Sequence, residues 1–441
     1  MRTFYNIVFS CFFWLSAPYY FLKMLRRGNW REGFMQRFGR FDSRIKHALT
    51  NRHSIWFHAV SVGEVNVCTQ IIQVLEQKAP NLRIVVSTTT TTGMAELKRK
   101  LPSHIIKIYY PVDFRRSVRK AMSVIHPEAV VLVEAEIWPN FIWHAHHRRI
   151  PIFLVNARLS EKSYKRYKMF KWFFSDLFRL FTGVGAQNEK DAKRLIELGC
   201  NPNAVRIIGN LKFDAARLDE RKTIDVPTIF KQVGFPSESL ILVAGSTHQG
   251  EEEIIADIFK RLKLKHKNLF LVLVPRHQER GKYVGKVLQN KNIKFIYRTE
   301  ITAGTKLQER SIDCILVNTT GELKYFYEYA TVTFIGKSLT ATGGQNPIEP
   351  GALGKCIVFG PNMQNFEQIA YAFLSNNAAI QVKDAAALEK AIDDLLSNPE
   401  KRELLGKNAI KVVEQNLGAV ERTVEMILEH LNQSEIYVKQ D

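Results

Sequence analysis

Short apolar runs recur along this chain, each separated from the next by a stretch long enough for one helix, and the series occurs twice. The first set comprises Ile55–Val60, Arg83–Ser87, Ile105–Tyr109, Ala129–Val133, Ile152–Val155, Gly183–Ala186 and Val205–Ile208. The second comprises Leu240–Ala244, Leu269–Val274, Lys294–Ile296, Cys314–Val317, Val332–Ile335, Ile357–Phe359 and Ala379–Val382. Strands that alternate with helices build parallel sheets covered on both faces. The chain is therefore read as α/β, with two Rossmann-like, doubly wound domains in tandem and ligands at the carboxyl ends of the strands. At 441 residues it is too long for one ordinary core. Arg217–Ser239, polar and broken by Pro227 and Pro236, is the natural linker. Boundaries follow at 1–25 for an N-terminal segment, 26–220 and 221–400 for the domains, and 401–441 for terminal helices that cross back to the first domain. Such a pair is expected to enclose a central cleft.

The N-terminal segment carries a second signal. Thr3 to Leu22 contains no charged side chain, and Trp14, Tyr19 and Tyr20 suit a membrane interface. Twenty such residues are just enough to cross a bilayer as a helix, although Pro18 would kink it. The eight bases that follow (Lys23, Arg26, Arg27, Arg31, Arg37, Arg40, Arg44, Lys46) place the next domain on the cytoplasmic side. A membrane anchor is expected, either spanning or lying in one leaflet. The net charge of +20 also calls for an anionic partner. Nucleic acid is disfavoured, because neither a basic–aromatic single-strand platform nor a recognition helix stands out. Cys11, Cys68, Cys200, Cys314 and Cys356 form no Cys-x-x-Cys pair, so no disulfide framework or zinc site is indicated.

Between the first strand and its helix lies Phe57-His58-Ala59-Val60-Ser61-Val62-Gly63-Glu64. Ser61 and Gly63 are read as a tight turn, with a helix over Val65–Ala79. Glu64 then sits beside a helix N-terminus, which favours its ionised form and makes it a candidate general base. A first-turn acid with no chemistry fits the same pattern. Glu134 and Glu136 follow the buried strand Ala129–Val133, where acids are costly without partners, so a job at the strand end is the favoured reading and two solvated loop acids the alternative. Glu161–Phe181 places Tyr167, Phe170, Phe174, Phe178 and Phe181 on one helical face, read as core, with lysines that are solvated or meet acidic lipid. His144, His146 and His147 lack zinc-ligand spacing, and no metal is expected.

Lys212 lies in the turn Gly209–Asp214. In the second series, Gly245–Gly250 follows a strand and is read as an anion cradle of free backbone N–H groups. Arg276, next to Pro275, is suited to phosphate. Gly343-Gly344-Gln345-Asn346-Pro347-Ile348-Glu349 opens a helix where N–H groups and Glu349 can meet a nucleotide. Neither the Walker lysine spacing nor a Gly-x-Gly-x-x-Gly fingerprint occurs.

Taken in order, His58–Glu64, Glu134–Asn140, Asn156-Ala157-Arg158-Leu159-Ser160, Gln187-Asn188-Glu189, Gly209–Asp214, Pro275-Arg276-His277 and Gly343–Glu349 resemble the successive motifs of the 3-deoxy-D-manno-octulosonic acid (Kdo) transferases. The resemblance runs over nearly the whole chain. It implies a GT-B glycosyltransferase that needs no cofactor and moves Kdo from CMP-Kdo to the lipid A precursor lipid IVA, at the cytoplasmic face of an inner membrane. It implies a catalytic base at Glu64 and transition-state stabilisers at Glu134 and Lys212. It also implies CMP contacts at Pro275, Arg276, Thr320, Gly321, Glu322, Leu323, Asn346, Pro347, Ile348 and Glu349. One departure is Gln345, where family members often have His. Another GT-B lipid-directed transferase, a nucleotide-sugar epimerase, or a catalytically silent membrane-binding protein are the competing readings.

Overall fold

The computed structural model describes residues 1–26, 31–50, 54–134, 136–214 and 224–432. Arg27, Ala135 and the 217–223 part of the expected linker lie outside the described residues. The chain divides into two units, Met1–Ala215 with Leu417–Asp441, and Ala216–Asn416.

The first unit is built on a seven-stranded parallel sheet. Its strands are β1 (Ser54–His58), β2 (Arg83–Thr88), β3 (Ile106–Tyr109), β4 (Pro127–Val133), β5 (Ile152–Ala157), β6 (Gly183–Ala186) and β7 (Val205–Ile207), in the order β3-β2-β1-β4-β5-β6-β7. Successive residues of β1 serve opposite faces. Ile55 and Phe57 join one apolar cluster, Trp56 the other, and all three are fully buried. The face beneath Ile55 and Phe57 is covered by two helices far apart in sequence, Val62–Lys78 and Ala419–Asn432. Asp214 fixes the second of these by accepting from the Gly418 and Val420 amides at 2.6 and 2.8 Å.

The second unit repeats the plan with β8 (Leu240–Thr247), β9 (Leu269–Pro275), β10 (Phe295–Tyr297), β11 (Cys314–Leu316), β12 (Val332–Ile335), β13 (Ile357–Phe359) and β14 (Ile380–Gln381). Its order is β10-β11-β9-β8-β12-β13-β14. Strand order therefore reverses between β1 and β4 in one unit and between β8 and β12 in the other. Those are the positions where an open α/β sheet offers a crevice.

The N-terminal segment departs from a spanning helix. Arg2–Arg26 is helical, but no helix among the described residues is long and apolar enough to cross a membrane. Asn6, Ser10, Ser16 and three tyrosines dilute its hydropathy, and one side of it is already engaged with protein. Tyr5 meets the rings of Trp143 and Phe173, while Phe9 and Phe13 meet Phe114. Phe12 and Leu15 point outward, at 63% and 83% exposure.

The aromatic stretch 161–181 divides at Phe170 into the helices Glu161–Met169 and Lys171–Phe178. Phe178 and Phe181 are core, and Tyr167 and Phe174 pack against it. Phe170, expected on the same face, is exposed together with Met169 and Trp172.

Candidate active site

The two acids of the first unit flank its switch point, Glu64 following β1 and Glu134 following β4. The helix bearing Glu64 begins at Val62, three residues earlier than its apolar spacing indicates, so Gly63 is a helical residue and not a turn. Ser61-Val62-Gly63-Glu64 is a capping sequence. The Ser61 hydroxyl accepts from the Glu64 amide at 3.2 Å, and a Glu64 carboxylate oxygen accepts from the Val60 amide at 2.8 Å. That carboxylate is 8% exposed. Burial, helped by the neighbouring charges of Glu134 and Glu136, raises its pKa to about 7 against the pull of the Val60 and Ser61 hydrogen bonds. A purely capping acid on a solvated helix end would titrate as an ordinary carboxylate.

Glu134 adopts φ 61°, a left-handed conformation that non-glycine residues seldom hold without cause. Its amide donates to Val155 O at 2.9 Å, and the Arg158 guanidinium lies 3.5 Å from its carboxylate. Glu136 accepts from the Trp138 indole N–H at 2.9 Å, and burial followed by Glu134 raises its pKa. Lys212 stands among these acids. Burial lowers its pKa, Glu134 raises it, Arg158 lowers it and Glu64 raises it. Its loop is held by Asn156, also left-handed at φ 52°, whose side-chain oxygen accepts from the Leu211 amide. Glu64, Glu134 and Lys212 are thus brought together at the strand ends of one unit. Glu136, which the sequence pairs with Glu134 at the strand end, joins them, as does Arg158, which its motif did not single out.

In the second unit the strand-end loops are drawn together differently. Arg276 is exposed just after β9, its amide bound to Thr247 O, and among the described residues no carboxylate lies within ion-pair distance of its guanidinium. Thr320 donates to the Gln278 side chain, joining the Arg276 turn to Thr320-Gly321-Glu322-Leu323. Gly321 holds φ 88°, which suits glycine. Glu322 is held by Thr319 and Arg298. Asn346 hydrogen-bonds Glu349, whose pKa burial raises, and its side-chain oxygen accepts from the Ile348 amide.

One amide of the expected anion cradle is already engaged. Fully buried Glu251 accepts from the His248 amide and from those of Lys337, Ser338 and Leu339 at 2.6–2.9 Å. The His248 amide, with three amides of 337–339, thus serves a carboxylate of the chain itself. The Gly343 and Gly344 amides are likewise engaged, by the Gln364 side chain and Lys337 O. Among the described residues, no group of three or more His, Cys, Asp or Glu side chains is arranged to hold a metal ion.

Two parallel seven-stranded units, with titratable groups gathered at the switch point of the first, have the architecture and the chemistry of an α/β enzyme. Residues 32–215 match the family described as 3-deoxy-D-manno-octulosonic-acid transferase (kdotransferase), and residues 238–412 match the glycosyl transferases group 1. The 3-deoxy-D-manno-octulosonic acid transferase of Haemophilus influenzae is 33% identical over 86% of this chain and 88% of its own. That of Rickettsia felis is 31% identical over 86% and 80%. The chain belongs to the 3-deoxy-D-manno-octulosonic acid transferase family, and it is a glycosyltransferase. Among solved structures, UDP-GlcNAc 2-epimerase from Neisseria meningitidis shares the fold, with a TM-score of 0.58 at 15% identity over 86% of this chain and all of that one.

Proposed function

We propose that this enzyme transfers Kdo from CMP-Kdo to lipid IVA with inversion, and that Glu64 is the general base. The observation that carries the reading is Glu64 itself, a buried carboxylate at the switch point whose pKa of about 7 matches a base working near neutral pH. Glu64 takes the proton of the acceptor hydroxyl as its oxygen attacks the anomeric carbon of Kdo. The bond from that carbon to the CMP phosphate oxygen breaks, and CMP leaves with the electron pair. Lys212 and Glu134 stabilise the charge that develops, and Arg276 meets the departing phosphate. Thr320–Leu323 and Asn346–Glu349 hold the nucleotide.

The acceptor's two phosphates and acyl chains account for both the +20 charge and the exposed apolar residues. The N-terminal helix is proposed to lie in the surface of the inner membrane on its cytoplasmic side. Phe12 and Leu15 would face lipid, as would Trp172, whose ring contacts Phe4. Lys165, Arg166, Lys168 and Lys171, on the flanking helices, would meet anionic head groups.

Mass spectrometry of the product from purified enzyme, lipid IVA and a CMP-Kdo-generating system tests the reaction. A mass increase by one or more Kdo residues with matching CMP release is expected. Absence of transfer by folded enzyme would overturn it in favour of another GT-B reaction.

A further inference from the structure

A carboxylate with no part in that chemistry lies beneath the N-terminal helix. Asp113, in the loop after β3, is 1% exposed. One of its oxygens accepts from the Tyr5 hydroxyl at 2.8 Å and from the Asn140 amide at 2.9 Å, and the other accepts from the Phe141 amide at 2.9 Å. The Asn140 side-chain amide donates both to Asp113 O, at 2.5 Å, and to the Asn6 side-chain oxygen, at 2.8 Å. Asn140 and Phe141 begin the helix Pro139–His147, whose N-cap residue, Trp138, makes no side-chain cap bond. Asp113 supplies that cap from another part of the chain. Trp138, whose indole has no acceptor to cap with, directs its N–H to Glu136. The same loop reaches the strand leading to Glu64, because the Tyr110 ring stacks on His58 at 3.7 Å and leans on Trp138 at 6.2 Å.

A helix cap alone needs only the two backbone donors. Here the buried carboxyl group also uses a hydroxyl 108 residues away, and a buried polar group short of one partner is costly. Loss of the Tyr5 hydroxyl is therefore felt at the start of the Pro139–His147 helix as well. We infer that Asp113 is a positioning residue: it ties the seat of the N-terminal helix, through Tyr5 and Asn6, to the helix start that holds Trp138 and, through Trp138, the Glu136 carboxylate. The inference rests on the reading of Glu64 as the base and Glu134 as a stabiliser, whose charges Glu136 adjoins. It links the helix that displays Phe12 and Leu15 outward with the acids that act on the acceptor.

The test uses full-length Tyr5→Phe, Trp138→Phe and the double variant, with Asn6→Ala as a second probe of the same seat. Hydrogen exchange at the Asn140 and Phe141 amides is expected to speed up by about tenfold in Tyr5→Phe and Asn6→Ala, as local opening becomes easier. With saturating lipid IVA and CMP-Kdo, each single variant should lower kcat by about fivefold, and the double variant hardly further, as coupled positions do. CMP affinity should not change. Unaltered exchange at the two amides, losses in kcat that multiply, or a lowered Tm with normal kcat would overturn the inference. If the wild-type enzyme transfers nothing to lipid IVA, the proposed reaction fails, while the exchange measurement still decides whether Asp113 links the two segments.

Discussion

At the scale of single residues, Glu64 carries two jobs that pull in opposite directions. As a cap it is best ionised, yet burial and the charges of Glu134 and Glu136 resist ionisation. Its folded pKa of about 7 lies above the ordinary 4.5, so the folded state binds the proton more tightly than the unfolded chain. The cost of ionising it is absent below about pH 4.5 and complete above about pH 7. Glu64→Gln keeps an acceptor for the Val60 amide and removes that cost. Its Tm should exceed that of wild type at pH 8, by the equivalent of up to about 3 kcal/mol, and the gain should vanish near pH 4.5. Turnover should fall by about 10²–10⁴-fold. In the wild type, turnover should rise with pH up to about 7, where the base becomes ionised. A folded Glu64→Gln variant with normal turnover would return Glu64 to a capping role only. In the second unit, Arg276→Ala should weaken CMP binding by about 1.5–3 kcal/mol in a calorimetric titration, the range for a charge-assisted hydrogen bond. Unchanged affinity would remove it from the nucleotide site.

At the scale of elements, the strands were legible because short β-branched runs between helical stretches admit one arrangement. Ile55, Trp56 and Phe57 show this, since a parallel strand covered on both faces needs no polar alternation. The start of the Glu64 helix was less legible. Gly63 has no side chain to betray a helical position, and Ser61-Val62-Gly63-Glu64 reads equally as a turn and as a cap. The N-terminal helix misled most, because a composition with no charge from Thr3 to Leu22 looks like a span. Nothing local reports that Tyr5 and Asn6 have partners at Asp113 and Asn140. The same long-range character hid Asp113, whose role depends on neighbours no spacing rule brings together. The outward face of this helix makes its own prediction. Phe12→Glu with Leu15→Glu should abolish flotation with vesicles containing anionic phospholipid while leaving Tm unchanged, since both side chains are exposed. Retained flotation would assign membrane attachment to another surface, and a large fall in Tm would show that these residues are core.

At the scale of the whole molecule, the first unit is discontinuous, closed by the helix Ala419–Asn432 after the chain has completed the second unit. Val420, Val424, Ile427 and Leu431 bury against the same cluster as Ile55, Phe57 and Val65. Ending the chain after Asn416 should therefore lower the thermal transition of the first unit and spare that of the second, a split that calorimetry can follow while CMP binding reports on the second unit. Equal loss in both would show that the two units melt as one. The discontinuity also has a bearing on synthesis. As the ribosome releases the chain from its N-terminus, 216–416 can fold as an uninterrupted segment, whereas the sheet that carries Glu64 keeps one apolar face uncovered until 419–432 has been translated. A chain ended between Asn416 and Ala419 keeps its second unit whole but cannot close the first, and one ended earlier within 216–416 completes neither. Premature termination is thus expected to produce chaperone clients and not partially active enzyme.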